Sequence, residues 1–396
     1  MTANADLAEL LAEPGPWTFA YVDGPGAEPQ VVEESRRDSV RDRLLELGAP
    51  EQDARAVLRA LEQATGVPSP SARYLLVRGG EVALDASFAQ PRRGPERLGH
   101  GPVPEILPLL RHRASSIRYL VVETGREGAD VRAESADRSA PQHVVEVEGR
   151  DDSLPKVQAG GWSHARYQRH SEEIWKHNQS EVAEVVDRLV REERPVVVVL
   201  AGDLRARQLL RERLAPASRE LVVEVEAHTR AAGSDERVLD DAIADALTER
   251  THRAVEEALD RASAENGSRG ARGMGAVVEA LQQARVETLL IDGRSIDAEQ
   301  TDVESGEDGE GRRGAERLEA LDSAPWVALG GASVPGEAAS LGSRPADEAL
   351  ARAAILTGAQ LHVLEEDYAA ADEPRPDRAP RQPVAVLRWT ESLAGP

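Results

Sequence analysis

The chain has 396 residues, 30% of them charged, and a formal net charge of −23, which is room for roughly two to four domains, each with its own core. It has no cysteine, which excludes disulfides, thiol catalysis and cysteine-bound zinc or iron–sulfur clusters. The opening MTANADLAELLAEPGP lacks a basic leader, and no segment approaches ~18 uninterrupted apolar residues, so a soluble, cytoplasmic protein without membrane contact is expected.

The first segment opens with a strand at 17–22. Helices are expected at 35–47 and 51–65, the second begun by Pro50 and stopped by Gly66. RYLLVRGGEVALDASF, 73–88, reads as a hairpin turning at Gly79-Gly80. A Pro/Gly/Arg-rich loop at 91–101 and a helix at 104–113 complete a unit without a catalytic constellation.

A second hairpin, IRYLVVETGREGADVRAES, turns at Gly125–Gly128, and a strand follows at 143–147. A long helix is expected from about Ser163 to Glu192, with Tyr167, Ile174, Trp175, Val182, Val185, Val186, Leu189 and Val190 mainly on one side. The opposite side carries Arg166, Arg169, Glu173 and Lys176. VVVVLAG, 196–202, reads as a fully buried parallel strand. A helix at 203–214 and a strand at 221–225 close this unit.

A polar helix near 238–263 leads to the break ENGSRGARG, a helix at 274–284 and a strand at 287–292. Residues 297–310 hold seven acids and no base and read as a solvated loop. Strands at 326–329, 360–364 and 384–389 and a helix at 346–356 finish the chain. Alternating strands and helices predict an α/β fold.

The exception to the overall acidity is KVQAGGWSHARYQRHSEEIWK, 156–176. It holds the only two lysines of the chain, Lys156 and Lys176, and its first fourteen residues contain Arg166 and Arg169 but no carboxylate. Gly160 and Gly161 lead into the helix and leave backbone N–H groups bare at its start, an arrangement suited to an anion. Gly-x-Ser-x-Gly, Walker A and HExxH patterns are absent. His164, His170 and His177 lack the i,i+4 pairing of common metal sites, so solvated or RNA-facing roles are expected, with no metal and no cofactor. Glu172 and Glu173 are sequence neighbours, do not face each other on a helix and read as a solvated face.

At this stretch the chain resembles the archaeo-eukaryotic release factor and Pelota superfamily. The family's central domain carries Gly-Gly-Gln-Ser, an Arg-Phe pair, a second Arg, a His-Asn pair on a long helix and a strand ending Leu-Ala-Gly. Gly160, Gly161, Ser163, Arg166, Tyr167, Arg169, His177, Asn178, Leu200, Ala201 and Gly202 match by position. GMGAVVEALQQARVETLLID, 273–292, together with 356–367 and 384–389, resembles the family's L7Ae/L30e-like third domain. The resemblance implies a three-domain architecture: a divergent N-terminal α/β domain at 1–115, a central domain at 116–237, and an L7Ae/L30e-like domain at 238–396 bearing the acidic loop.

Trp162 stands where the family has its catalytic glutamine. Indole donates one hydrogen bond and has no carbonyl acceptor, so it cannot orient water as the amide oxygen does. It offers instead a stacking surface, while its backbone N–H is still available to an oxyanion; a hydrophobic plug packing the loop is the plainer alternative. The resemblance implies a ribosome-associated factor entering the A site, contacting ribosomal RNA and transfer RNA. Lys156, Trp162, Ser163, His164, Arg166, Arg169 and Lys176 are the expected RNA contacts, and Gly160, Gly161 and Trp162 replace the Gly-Gly-Gln loop. Within the family it implies a Balon-like, non-catalytic hibernation or rescue factor, monomeric, with elongation factor Tu as a partner. A peptidyl-tRNA hydrolase of ANKZF/Vms type and an acidic protein-binding module are the alternatives.

Overall fold

The computed structural model describes residues 2–13, 15–26, 29–114, 117–135, 143–149, 161–226, 236–264, 267–293, 316–331, 336–364 and 382–389. Its contacts form two compact units, one combining Met1–Ala114 with Ala254–Pro396 and the other comprising Ser115–Arg253.

The first unit opens with helix α1 (Thr2–Ala12) and strand β1 (Trp17–Asp23), then helices α2 (Gln30–Glu46) and α3 (Glu51–Glu62). Strands β2 (Ala72–Arg78), β3 (Glu81–Phe88) and β4 (Arg97–Gly101) precede helix α4 (Leu107–Ala114). The sheet order is β3-β2-β1-β4, antiparallel throughout. On one face Ala20, Val22, Leu75 and Val77 pack with Val40 and Leu44 of α2 and Ala54 and Val57 of α3. On the other, Phe19, Tyr21, Tyr74 and Leu76 join a core that also contains residues from Ala271 to Leu387. The first and last thirds of the chain therefore share one hydrophobic interior.

The expected 91–101 loop contains β4, although RLGHG has little intrinsic strand preference. Its backbone pairs with β1, placing Gly99 opposite Phe19, and a Cβ at Gly99 would lie 2.4 Å from the Phe19 ring. Pairing with a neighbour and close approach override propensity here. Helix α1, absent from the sequence reading, buries Leu7 and Leu11; a helix this short needs such tertiary cover to persist.

The second unit contains strands β5 (Arg118–Gly125), β6 (Gly128–Ser135) and β7 (His143–Glu148), then helix α5 (Gly161–Glu193). Strand β8 (Val197–Gly202), helices α6 (Leu204–Arg213) and α7 (Pro216–Arg219), and strand β9 (Val222–Glu224) follow. The order is β7-β6-β5-β8-β9, with β8 parallel to both β5 and β9. Every residue of β8 is buried because both faces are covered. Val198 and Leu200 meet Val182, Val186 and Leu189 of α5 and Leu210 of α6. Val197 and Val199 meet Leu239, Ile243 and Ala246 of helix α8 (Glu236–Ser263). That two-sided burial is why the run is continuously apolar.

The last third adds β10 (Gly270–Arg272), helix α9 (Met274–Gln282), β11 (Val286–Asp292), β12 (Arg317–Leu321), β13 (Val327–Leu329) and β14 (Ser340–Pro345). It closes with helix α10 (Ala346–Leu356), β15 (Gln360–Leu364) and β16 (Val384–Leu387). One sheet runs β10-β16-β11-β15, the other β13-β12-β14. Strand β10 lies inside the expected break, held by its pairing with β16, and β12 and β14 were not anticipated. The acidic stretch 297–310 lies outside the described residues. Among the described residues no helix is long and apolar enough to cross a membrane.

Helix α10 carries two buried charges one turn apart, each aimed at a helix end. Glu348 accepts from the backbone N–H of Ile106 at 2.9 Å and of Leu107 at 3.2 Å, at the start of α4. Arg352 donates to the Leu11 carbonyl at 3.3 Å, near the end of α1, and to that of Leu321 at 2.9 Å. A carboxylate at an N-terminus and a cation at a C-terminus each complement the local helix dipole. Burial, reinforced by Glu105, nevertheless pushes the Glu348 carboxyl up to about 8, so its neutral form is favoured in the fold. A carboxyl raised in this way contributes stability fully below its unfolded value near 4.5 and loses it as pH rises towards about 8. Thermal melts should therefore show the wild-type midpoint falling relative to Glu348→Gln across that window, with the two converging in acid; parallel profiles would show that this carboxyl titrates normally.

Candidate functional site

Helix α5 supplies the frame of the site. Its 33 residues begin at Gly161, so Gly161 and Trp162 are its first helical residues, two positions before the expected start at Ser163. Lys156 and Gly160 lie outside the described residues. Trp162, Ser163, His164, Arg166 and Arg169 lie within the first nine residues of the helix. The burial of the side chains is described from Glu172 onward, with Glu173 exposed and Lys176 partly buried. From Gly161 to Lys176 the rise is about 22 Å.

Lys176, in the fifth turn of the helix, has its backbone tied to the neighbouring elements. Its carbonyl accepts from Arg213 Nε at 2.9 Å and from the Ser180 hydroxyl at 2.8 Å. Arg205 of α6 reaches Glu172 at 2.5 Å, and that pairing, with Lys176 nearby, holds the Glu172 carboxyl below its ordinary value. His177 Nε2 lies 3.2 Å from Glu181 on the exposed side of the helix. Among the described residues no cluster of His, Asp and Glu could hold a metal ion.

What fixes the helix is a polar clamp one turn further on. Asn178 and Gln179 are fully buried, and both reach the β5–β6 turn. Gln179 Oε1 accepts from the Thr124 hydroxyl at 2.9 Å, and its Nε2 donates to the Gly125 carbonyl at 2.8 Å. Asn178 Nδ2 donates to the Arg126 carbonyl at 3.1 Å. Its amide also fills the space against Gly149, where a Cβ would fall 2.3 Å from Asn178 Cγ. Gly202, at the end of β8, has φ +110, and a Cβ there would meet the Thr124 carbonyl oxygen at 2.0 Å. Asp203 then caps α6, its carboxylate accepting from the N–H groups of Arg205 and Ala206 at 2.9 and 3.1 Å. Of the residues matched by position to the family pattern, Asn178 and Gly202 therefore do scaffold work.

Trp175 is half-buried beside this clamp, with the Arg126 guanidinium 4.8 Å above its ring centroid. Arg126 also approaches Asp203 at 3.5 Å. Sequence reading missed Arg126 and Arg205, since neither a hairpin turn nor a helix start marks an arginine as special. It had a signal for Gln179, a polar residue on the apolar stripe between Trp175 and Val182.

Removing parts of the clamp should loosen the helix. Gly202→Ala forces a side chain into left-handed backbone against a carbonyl and should cost at least about 2 kcal/mol. Asn178→Ala removes a buried partner and should cost about 1–3 kcal/mol. Chemical denaturation checks both; wild-type stability in either variant would show that the clamp is dispensable.

Residues 118–268 match the family described as bacterial archaeo-eukaryotic release factor family 2. Among curated proteins, the uncharacterized protein Rv2629 of Mycobacterium tuberculosis is similar: 25% identical over 293 residues, 72% of this chain and 77% of that protein. Among solved structures, a ribosome-bound archaeal Pelota studied with ABCE1 is 13% identical, covering 98% of this chain and 94% of its own, with a TM-score of 0.40. Dom34 of S. cerevisiae is 10% identical over 81% of this chain and 80% of its own, with a TM-score of 0.42. At scores below 0.5 neither superposition adds weight to the sequence match. The similarity to the bacterial archaeo-eukaryotic release factor family thus lies in the central segment, residues 118–268, which includes α5 and β8.

Proposed function

We propose that this protein is a cytoplasmic, monomeric ribosome-associated factor that occupies the A site, with Gly160, Gly161 and Trp162 directed at the peptidyl transferase centre. In this reading it guards or blocks that centre in idle or stalled ribosomes, contacting ribosomal and transfer RNA, with elongation factor Tu as its delivery partner and no cofactor. The observation that carries the reading is the carboxylate-free sequence 156–169, whose last nine residues open a clamped helix, in the segment that matches the family, with tryptophan at the glutamine position. Cations concentrated at one tip of an acidic chain can contact phosphates while the remaining surface is repelled by RNA. Trp162 supports blocking over hydrolysis because an indole has no acceptor with which to orient water.

The second reading is peptidyl-tRNA hydrolysis in ribosome rescue. One observation favours it: α5 begins at Gly161, so backbone N–H groups at that end lack helical acceptors and can stabilise an oxyanion.

Sedimentation with ribosomes from stressed cells at modest salt should bring the protein into the pellet, and its retention in the supernatant would end the A-site reading. Charge reversal at Arg166 and Arg169 should weaken ribosome binding by about tenfold or more without lowering the thermal midpoint, since phosphate contacts dominate such affinities. In single-turnover assays on stalled large subunits, wild-type protein should release no peptide. Release by the wild type, raised further in Trp162→Gln, would favour the hydrolase.

A further inference from the structure

We propose that Arg126 and Trp175 form a stacking platform for one unpaired RNA base, with Lys176 and Arg205 beside it for the flanking phosphates. This rests on the RNA-binding reading above and adds a second contact about 20 Å from Trp162 along α5.

The geometry is that of a built surface. Arg126 sits at a hairpin turn whose carbonyl is held by the buried Asn178 at 3.1 Å, and its guanidinium lies 4.8 Å from the Trp175 centroid. Its side chain is nonetheless 60% exposed. An arginine that already lies over an indole loses less rotamer freedom on binding a base than a free one does. The Nε edge is taken up by Asp203 at 3.5 Å and one face of the guanidinium by the indole, which leaves the other face for a ligand. Carboxylates and phosphates are gripped by the edge, whereas unpaired bases stack on the plane. Stability alone accounts poorly for the arrangement, because a single exposed ion pair at that distance contributes about 0–1 kcal/mol.

Two neighbouring features fit the same ligand. Leu204 follows Asp203 and is 56% exposed, which suits the apolar rim of a base better than an acidic peptide. Arg205, in contact with Glu172, lies one residue beyond, and Lys176 is one helical turn from Glu172. Residues 156–219 contain twelve Lys and Arg against nine Asp and Glu in a chain of net charge −23. That segment is positive where the chain as a whole is strongly negative, which makes it the part of the chain best suited to a phosphate backbone.

The test is titration of the full-length protein with a short fluorescein-labelled oligoadenylate in low salt, alongside an abasic phosphodiester of equal length. Wild type should bind the oligoadenylate about tenfold more tightly than Arg126→Ala does, the scale of one base–side-chain stack. Arg126→Lys should lose nearly as much, since it keeps the charge and loses the plane. Arg205→Ala should lower the salt slope by about one. Wild type should bind the abasic oligomer no better than Arg126→Ala binds the oligoadenylate. No oligoadenylate binding by wild type, wild-type affinity in both Arg126 variants, or full rescue by lysine would each overturn the platform; the last would mark a contact made by charge alone. Displacement of the oligoadenylate by polyglutamate at equal charge would overturn it in favour of an acidic protein partner. The same variants are sedimented with ribosomes. Pelleting of wild type without the oligonucleotide effects removes the platform and keeps the ribosomal reading. Oligonucleotide effects without pelleting keep the platform and remove that reading.

Discussion

The central unit depends on the two buried amides of Asn178 and Gln179. Burying an amide without partners costs several kcal/mol, so these side chains fix the β5–β6 turn and α5 in one relative arrangement. Gly202 tightens the same junction by letting the end of β8 pass close to Thr124. The consequences run outward along the helix. A rigid base gives the helix axis from Lys176 onward a definite direction. The same turn presents Arg126 over Trp175.

The other unit shows a different use of buried polarity. Helix α10 is buried along most of its length, and its Glu348 and Arg352 each answer a helix end from the first part of the chain. Such contacts discriminate among packings more than they add stability, because desolvating a charge offsets much of what its partner returns. Apolar burial by residues such as Leu7, Tyr74, Leu289 and Leu350 in one core supplies the driving force. These two buried polar side chains set the register in which the first and last thirds of the chain meet.

Tryptophan in place of glutamine gives the proposed function its direction. Similarity of the central segment to the bacterial archaeo-eukaryotic release factor family accounts for the glycines, the basic run and the scaffold residues together. It does not require hydrolysis, and Trp162 lacks the acceptor that water activation through the side chain would use. Stacking, charge at the tip of α5 and a fixed helix direction are all suited to occupying a site.

The sequence by itself determined the elements whose signal is local and strong. The buried run of β8, the hairpins at Gly79-Gly80 and Gly125–Gly128, the long amphipathic α5, and the basic run with its tryptophan substitution were all legible from periodicity, turn chemistry and charge. Only the tertiary structure decided the rest. Strands β4 and β10 exist because a neighbour offers backbone partners, and α1 because α10 covers it. Arg126 acquires its role by lying over Trp175, 49 residues away in sequence. These are long-range pairings, and a local pattern of residues carries no record of which distant group will satisfy it.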